Sequence, residues 1–243
     1  MKDPTVIGVI GLGNAGKPIL NNLHKSKKYK LIAFDIDKNK LNQVPKEIII
    51  ANSIKELAEK CKAVLTCLPK PEHVLKAVDG KDGLLQNATA GMIWIDTSTT
   101  DFKQTQQLSE KAKTFGVSML EATLTGGVHA LQNNNMVCLA GGDKKIFNKW
   151  KKVLQDAIGE VVVLCGNIGA GAITKVVSNM LAFTNMVAAS ECMMIAKRAG
   201  LDLESFFDAI RVSAGNSFAW ETVVPHIFNQ KYEAGFTMDL ACK

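Results

Sequence analysis

Val6-Ile-Gly-Val-Ile-Gly11-Leu12-Gly13-Asn14-Ala15-Gly16 is the stretch that decides the fold. Residues 5–10 are a continuous apolar, β-branched run, the pattern of a strand buried on both faces of a parallel sheet. The run passes directly into a Gly-x-Gly-x-x-Gly turn, and a helical pattern follows to about His24. A second short strand over 31–34 ends in Asp35. Strand, glycine turn, helix, strand and acid fall in the order that a dinucleotide-binding unit requires. Gly11 permits the tight turn, Gly13 lets backbone amides reach a pyrophosphate, and Gly16 lets the helix pack close on the strand. The helix start offers unpaired amides to the phosphates. Asp35 is placed to accept hydrogen bonds from the adenosine ribose and to repel a 2′-phosphate, which favours NAD over NADP. A glycine triplet alone would be weak evidence, since a plain βα turn uses the same residues; its setting between strand and helix carries the assignment.

Working outward, the alternation continues. Ser53–Lys60 reads as a helix with a capping box, Ser53 at the cap and Glu56 three residues on. Strands are expected over 63–68, 91–95, 117–120, 136–140 and 161–164, with helices over 101–115 and 144–157. Strands separated by helices imply an α/β, Rossmann-like, doubly wound and mainly parallel sheet. No further strand is visible after residue 166, so a boundary is expected near 165: a nucleotide-binding domain over 1–165 and an all-helical domain over 166–243. In such a sheet ligands sit beyond the carboxyl ends of the strands. That rule groups Leu68-Pro69, the segment from Asp96 to Thr100 with Ser98 and Thr99, and Thr125-Gly126-Gly127 on one rim with Gly13. Hydroxyls and glycine amides gathered there suit a nicotinamide and an anionic substrate. Taken singly they read more plainly, Asp96 and Ser98 as a cap for the helix from 101 and Gly126-Gly127 as a turn.

The stretch from Asn167 to Arg198 carries the candidate chemistry. It has no proline, Gly200 follows it, and between Ile168 and Ala196 only Lys175 and Glu191 are charged. A helix apolar nearly all round is expected to be buried. A lysine within it costs free energy unless it is paired or its pKa shifts. Ser178 and Asn179 lie one turn on and share its face, so Lys175 is the candidate proton acceptor with Asn179 beside it. The plainer reading is a lysine that snorkels to water. Ser178, Asn179, Thr184 and Asn185 interrupt the apolar run and argue against a membrane span.

Composition excludes several classes. At 243 residues, 47% hydrophobic and 21% charged, the chain is ordinary for a globular protein. The first apolar run is too short for a signal peptide, so a cytoplasmic protein is expected. Six cysteines form no Cys-x-x-Cys pair and four histidines are scattered, which points away from a disulfide frame or a metal site. The net charge of +6 is dispersed. The lysines at 144–152 face away from Ile146, Phe147, Trp150, Val153 and Leu154, as on the wet side of an amphipathic helix, so no nucleic-acid partner is expected.

With these motifs in view the sequence resembles the β-hydroxyacid dehydrogenases, the family of 3-hydroxyisobutyrate dehydrogenase, tartronate semialdehyde reductase and, more distantly, 6-phosphogluconate dehydrogenase. The resemblance runs from residue 6 to the end, through Gly11–Gly16, Leu68-Pro-Lys-Pro71, Asp96-Thr-Ser-Thr99, Glu121–Gly127, Gly141-Gly142 and Gly169–Asn179. It implies a Rossmann-like domain followed by a helical substrate and dimerisation domain, joined by the long helix, and homo-oligomers. It implies cofactor contacts at the glycine turn, Asp35, Leu68, Pro69, Thr99 and Lys243. Lys175 matches the catalytic lysine, Asn179 an asparagine that orients the substrate, and Thr125, Gly126 and Gly127 the element that grips the substrate carboxylate. The sequence departs from the family at Glu121-Ala-Thr-Leu-Thr125, where Asp-Ala-Pro-Val-Ser is frequent, at His129, at Ser178, and at Phe218, where many members have tryptophan. The family continues past the position of Lys243 through a Lys-Asp pair into more helices, so an incomplete helical domain is expected, with NAD binding kept and turnover weakened.

The resulting expectation is an NAD-dependent dehydrogenase of a small 3-hydroxy acid, with Lys175 as base and Ser98 adding a hydrogen bond to the substrate. Reduction of small aldehydes such as succinic semialdehyde or glyoxylate uses the same residues. A nucleotide-binding module without turnover is the alternative of another class.

Overall fold

The computed structural model describes residues 4–126 and 128–229. Its strands are β1 (Val6–Ile10), β2 (Lys30–Phe34), β3 (Ile49–Ile50), β4 (Ala63–Thr66), β5 (Ile93–Asp96), β6 (Ser118–Thr125), β7 (Val137–Gly142) and β8 (Val162–Gly166). Its helices are α1 (Gly16–Ser26), α2 (Lys38–Leu41), α3 (Ile54–Lys60), α4 (Pro71–Asp79), α5 (Leu84–Asn87), α6 (Phe102–Thr114), α7 (Val128–Gln132), α8 (Lys144–Ala157), α9 (Ala170–Arg198), α10 (Leu203–Arg211) and α11 (Phe218–Phe228). The chain divides into two compact units, Met1–Lys175 and Val176–Lys243, with the division inside α9.

The first unit is built on one sheet with strand order β3-β2-β1-β4-β5-β6-β7-β8. Neighbours pair in parallel except β6 and β7, which are antiparallel. The order reverses beside β1, which makes the end of β1 the crevice where such sheets take their ligands. The strands that build the centre are buried on both faces, as their unbroken apolar runs require. One face packs Ile7, Val9, Leu65 and Ile95 against Ile19, Leu20 and Leu23 of α1 and Phe147, Trp150 and Leu154 of α8. The other packs Ile10, Val64 and Trp94 against Leu57 of α3, Val74 of α4 and Leu108 of α6.

Short polar side chains start the helices. Ser53 Oγ accepts the Glu56 amide at 3.1 Å, while Glu56 reaches back one residue further than a capping box requires, to the Asn52 amide at 2.9 Å. Asp101, not Asp96 or Ser98, caps α6 by accepting the Gln104 amide. Asp96 still belongs to β5, and its carboxylate bonds to Thr66 and the Ser98 amide instead.

The second unit has a core of Ala189, Met193, Trp220 and Val224, with Phe206 and Phe207 packed against it. The Trp220 ring stacks on Phe207 and its Nε1 donates to the Phe207 carbonyl at 3.1 Å. Here the sequence reading needs correction. The long helix is not buried: Val176, Met180, Leu181 and Val187 are 54–61% exposed. The unit's core takes Ala189 and Met193 from α9, which leaves the apolar residues on its other sides exposed. By length and composition alone α9 could also cross a membrane.

Candidate active site

The glycine turn is held from below by an acid. The Gly11 amide donates to the Phe34 carbonyl, and the Leu12 amide donates to Asp35 Oδ2 at 2.6 Å. Asp35 Oδ1 accepts the Asp37 amide at 2.8 Å, and Lys40 Nζ lies 3.6 Å from Oδ2. Asp35 is thus buried and fixes the turn to the end of β2. Gly11 has φ +92°, a left-handed conformation that favours glycine, and a Cβ there would strike the Cys67 carbonyl. A Cβ on Gly16 would collide with the Gly11 carbonyl, so helix and strand meet only because both are glycine. A Cβ on Gly13, by contrast, would project into open space. No side chain caps α1 and its first turn holds no acid. Around Asn14 and Ala15 these features fit the pyrophosphate of a dinucleotide, which needs close backbone approach and uncompensated amides.

The next loops of the rim are tied together by one buried network. Trp94 Nε1 donates to Thr66 Oγ1, which donates to Asp96 Oδ1, each at 2.8 Å. The same Asp96 oxygen accepts the Ser98 amide at 3.0 Å, and Ser98 Oγ accepts the Leu68 amide at 3.0 Å. Ser98 is buried, and it fastens the loop of Leu68 and exposed Pro69 to the end of β5; its hydroxyl keeps a proton to donate. Thr99 is half-buried beside it. β6 runs four residues past Glu121, its partner in register with Asp96, and so carries half-buried Thr125 and exposed Gly126 beyond the rim. Gly126 has φ +121°, which keeps this position for glycine. Gly127 and Lys243 lie outside the described residues.

The start of α9 is anchored on β6. Gly171 donates its amide to Glu121 Oε2 at 3.0 Å, and Thr123 Oγ1 lies 3.0 Å from the Leu139 carbonyl and 3.3 Å from that of Gly171. Gly169, with φ +100°, packs on the Phe102 ring, where no Cβ would fit. One turn beyond Gly171 stands Lys175, half-buried, and burial pulls its pKa below the ordinary lysine value. Lys175 is the last residue of the first unit. Ser178 and Asn179 follow one turn on along α9 in the second unit, both half-buried. Phe218 opens α11 and is largely exposed.

Two participants escaped the sequence reading. Glu121 entered only as part of a motif, and Lys40 not at all. The first had a signal: a carboxylate set between Met119-Leu120 and Ala122 in a buried strand has to be there for a polar partner.

Comparison with known proteins agrees with this architecture. Residues 6–167 match the family described as the NAD binding domain of 6-phosphogluconate dehydrogenase. Residues 169–243 match the family described as NAD-binding of NADP-dependent 3-hydroxyisobutyrate dehydrogenase. The chain belongs to the β-hydroxyacid dehydrogenase family. The mitochondrial 3-hydroxyisobutyrate dehydrogenase of Mus musculus is 31% identical over 255 residues, covering 100% of this chain and 74% of the mouse protein. The 2-(hydroxymethyl)glutarate dehydrogenase of Eubacterium barkeri is 29% identical over 245 residues, covering 100% of this chain and 81% of that protein. A solved structure of Mycobacterium tuberculosis 3-hydroxyisobutyrate dehydrogenase with L-serine superposes with a TM-score of 0.90 at 26% identity, covering 98% of this chain and 83% of the other.

This β-hydroxyacid dehydrogenase is therefore an NAD(P)-dependent oxidoreductase acting on a CH–OH group. Membership in the family gives the glycine turn its ligand class, a nicotinamide dinucleotide.

Proposed function

We propose that this β-hydroxyacid dehydrogenase oxidises a small 3-hydroxy acid of the 3-hydroxyisobutyrate kind to its semialdehyde, with NAD as oxidant, and catalyses the reverse reduction by the same path. The observation that carries the reading is Lys175. Burial disfavours the charge of this lysine and so makes its amine easier to keep neutral, as a general base requires, and it stands one turn from the point where α9 is tied to β6. Lys175 Nζ takes the proton of the substrate hydroxyl. Bound NAD would supply the acceptor for the hydride of the same carbon. The substrate thereby loses one proton to the lysine and one hydride to the oxidant, and the hydroxyl carbon becomes a carbonyl.

The remaining assignments rest on the motifs by which the sequence resembles the family. Thr125, Gly126 and Gly127 grip the substrate carboxylate, and the added methyl of Thr125 narrows that pocket. Asn179 orients the hydroxyl, and Ser98 contributes through its remaining proton. Leu68, Pro69, Thr99 and Lys243 contact the cofactor with the glycine turn. Asp35 favours NAD, because a carboxylate at the end of the second strand would accept from a ribose hydroxyl and repel a 2′-phosphate. The working form is a homo-oligomer.

The direct test follows NAD reduction at mildly alkaline pH across short 3-hydroxy acids, their 2-hydroxy isomers and the corresponding alcohols without a carboxylate. Turnover confined to the 3-hydroxy acids is the expected result. Equal turnover of the alcohols would remove the carboxylate grip, and a preference for 2-hydroxy acids would overturn the substrate class.

A further inference from the structure

Glu121 is a costly residue for its place. It is 2% exposed in the middle of β6, paired in register with Asp96 on one side and Gly141 on the other. Burial drives its pKa above the ordinary carboxylate value and Asp96 adds to the rise, opposed by the amides of Gly169, Gly171 and Ala172. Its Oε1 has no hydrogen-bond partner among the described residues. An apolar side chain of similar volume would fill the same space without that cost.

The surroundings are shaped to admit the carboxylate. A Cβ on Gly141 would collide with Oε2, and one on Gly171 would lie 3.1 Å from it. The pairing of β7 with β8 shifts register between Ala140 and Gly141, at the same level. What the carboxylate obtains there is the amino end of α9, where an acid is favoured by the unpaired amides and the helix dipole. Gly171 and Lys175 are four residues apart and therefore stack on one face, a single turn from each other.

We propose that Glu121 is a positioning residue for proton transfer: its buried carboxylate pins the first turn of α9 to β6 and so fixes where Lys175 stands. The proposal rests on the reading of Lys175 as the base. Glu121 acts through backbone, not through the charge of the lysine, since what it holds is the Gly171 amide. A displacement of about 1 Å at a reacting group costs on the order of a hundredfold in rate, so a loosened first turn acts on kcat while leaving the cofactor turn at the end of β1 intact.

Three variants test this. Glu121→Leu keeps the volume and removes the acceptor. Glu121→Asp keeps the charge but falls one methylene short of Gly171. Glu121→Gln keeps an acceptor oxygen at the same reach. The expected result is a kcat lowered about tenfold to a hundredfold in the Leu and Asp variants, with KM and the NAD dissociation constant near wild type, and kcat restored to within about threefold by Gln. In parallel, amide hydrogen exchange of the 169–175 segment should quicken in the Leu and Asp variants and not in Gln. Binding of NAD confirms folding for each protein, and the Asp variant serves if Leu fails to fold. Wild-type kcat and unchanged exchange in both the Leu and Asp variants would overturn the proposal, as would an equal loss in Gln and Leu. Exchange does not depend on turnover: if it quickens as expected while Lys175→Ala still turns over at the wild-type rate, the base assignment fails and the tie stands.

Discussion

A lysine that is to take a proton near neutral pH has to lose the charge it carries in water. Burial gives Lys175 that bias, with its pKa moved down from 10.5. The sign of the effect can be followed. With Lys175 as the proposed base, oxidation needs the neutral amine and its rate should climb with pH through a pKa below the ordinary lysine value; reduction needs the ammonium form and should fall through the same pKa. Lys175→Ala should lose a hundredfold or more, the approximate scale for a positioned acid–base group, and should lose the ionisation from its pH profile while binding NAD normally. A variant that keeps the wild-type profile would assign the proton to another group. Asp35 raises a second question at this scale, because its carboxylate is already engaged by the Leu12 and Asp37 amides and faces Lys40 at 3.6 Å. The lysine partly offsets the charge that would repel a 2′-phosphate. The offset is partial, so NAD should still bind more tightly than NADP, and Lys40→Ala should widen the gap by about two- to fivefold, the range of an ion pair with one exposed partner. Titration of both cofactors into both proteins measures it; equal affinity of the wild type for the two would remove the role given to Asp35.

At the scale of elements, the junction of β6 with α9 brings sequence-local preference and packing into conflict at Gly171. Alanine is favoured over glycine in a helix by about 1 kcal/mol. A Cβ at 171 would lie 2.9 Å from the Leu139 carbonyl and 3.1 Å from Glu121 Oε2, and overpacking of this kind costs about 1–3 kcal/mol. Packing wins, so Gly171→Ala should lower stability in urea denaturation and lower kcat with it. A variant as stable as the wild type would mean that the start of α9 is free to shift. The same junction marks how far the sequence could be read. The glycine turn, Asp35 and the alternation of strands and helices were legible because each depends on neighbours in the chain: an apolar run, a φ only glycine adopts, a cap three residues away. The tie from Glu121 to Gly171 spans fifty residues: the buried strand around Glu121 calls for a polar partner, but nothing local says which. Ser98 shows the same limit. Its position on the rim was readable from the end of a strand, but the bond from the Leu68 amide to its hydroxyl depends on how β4 and β5 lie side by side. The two-residue strand β3 was too short to carry a pattern at all, and the reversal of β7 against β6 leaves no trace in periodicity, which is the same in both directions.

For the whole molecule, the long helix poses the remaining problem. Its composition is that of a buried helix, yet Val176, Met180, Leu181, Val187 and Ile195 are 54–66% exposed in the single chain. The inference from composition to burial holds only if the partner surface belongs to the same chain, and composition cannot say whose surface it is. Apolar side chains repeated along a helix face at this exposure leave a patch of the kind that marks an interaction site. Ser178, Asn179, Thr184 and Asn185 interrupt the run and make lipid a poor partner, since each would need a hydrogen bond inside the bilayer. The proposed homo-oligomer makes a second copy of the chain the partner for this surface. The purified protein should therefore sediment as a multiple of the single-chain mass at micromolar concentration. Met180→Asp with Leu181→Asp should shift it toward the single chain, because a carboxylate in an apolar contact is expensive to bury. NAD should still bind to the dissociated form, since the glycine turn and Asp35 lie within the first unit. A single-chain mass for the wild type, accompanied by binding to lipid vesicles that the double variant lacks, would show that α9 meets a membrane instead and would overturn the oligomer.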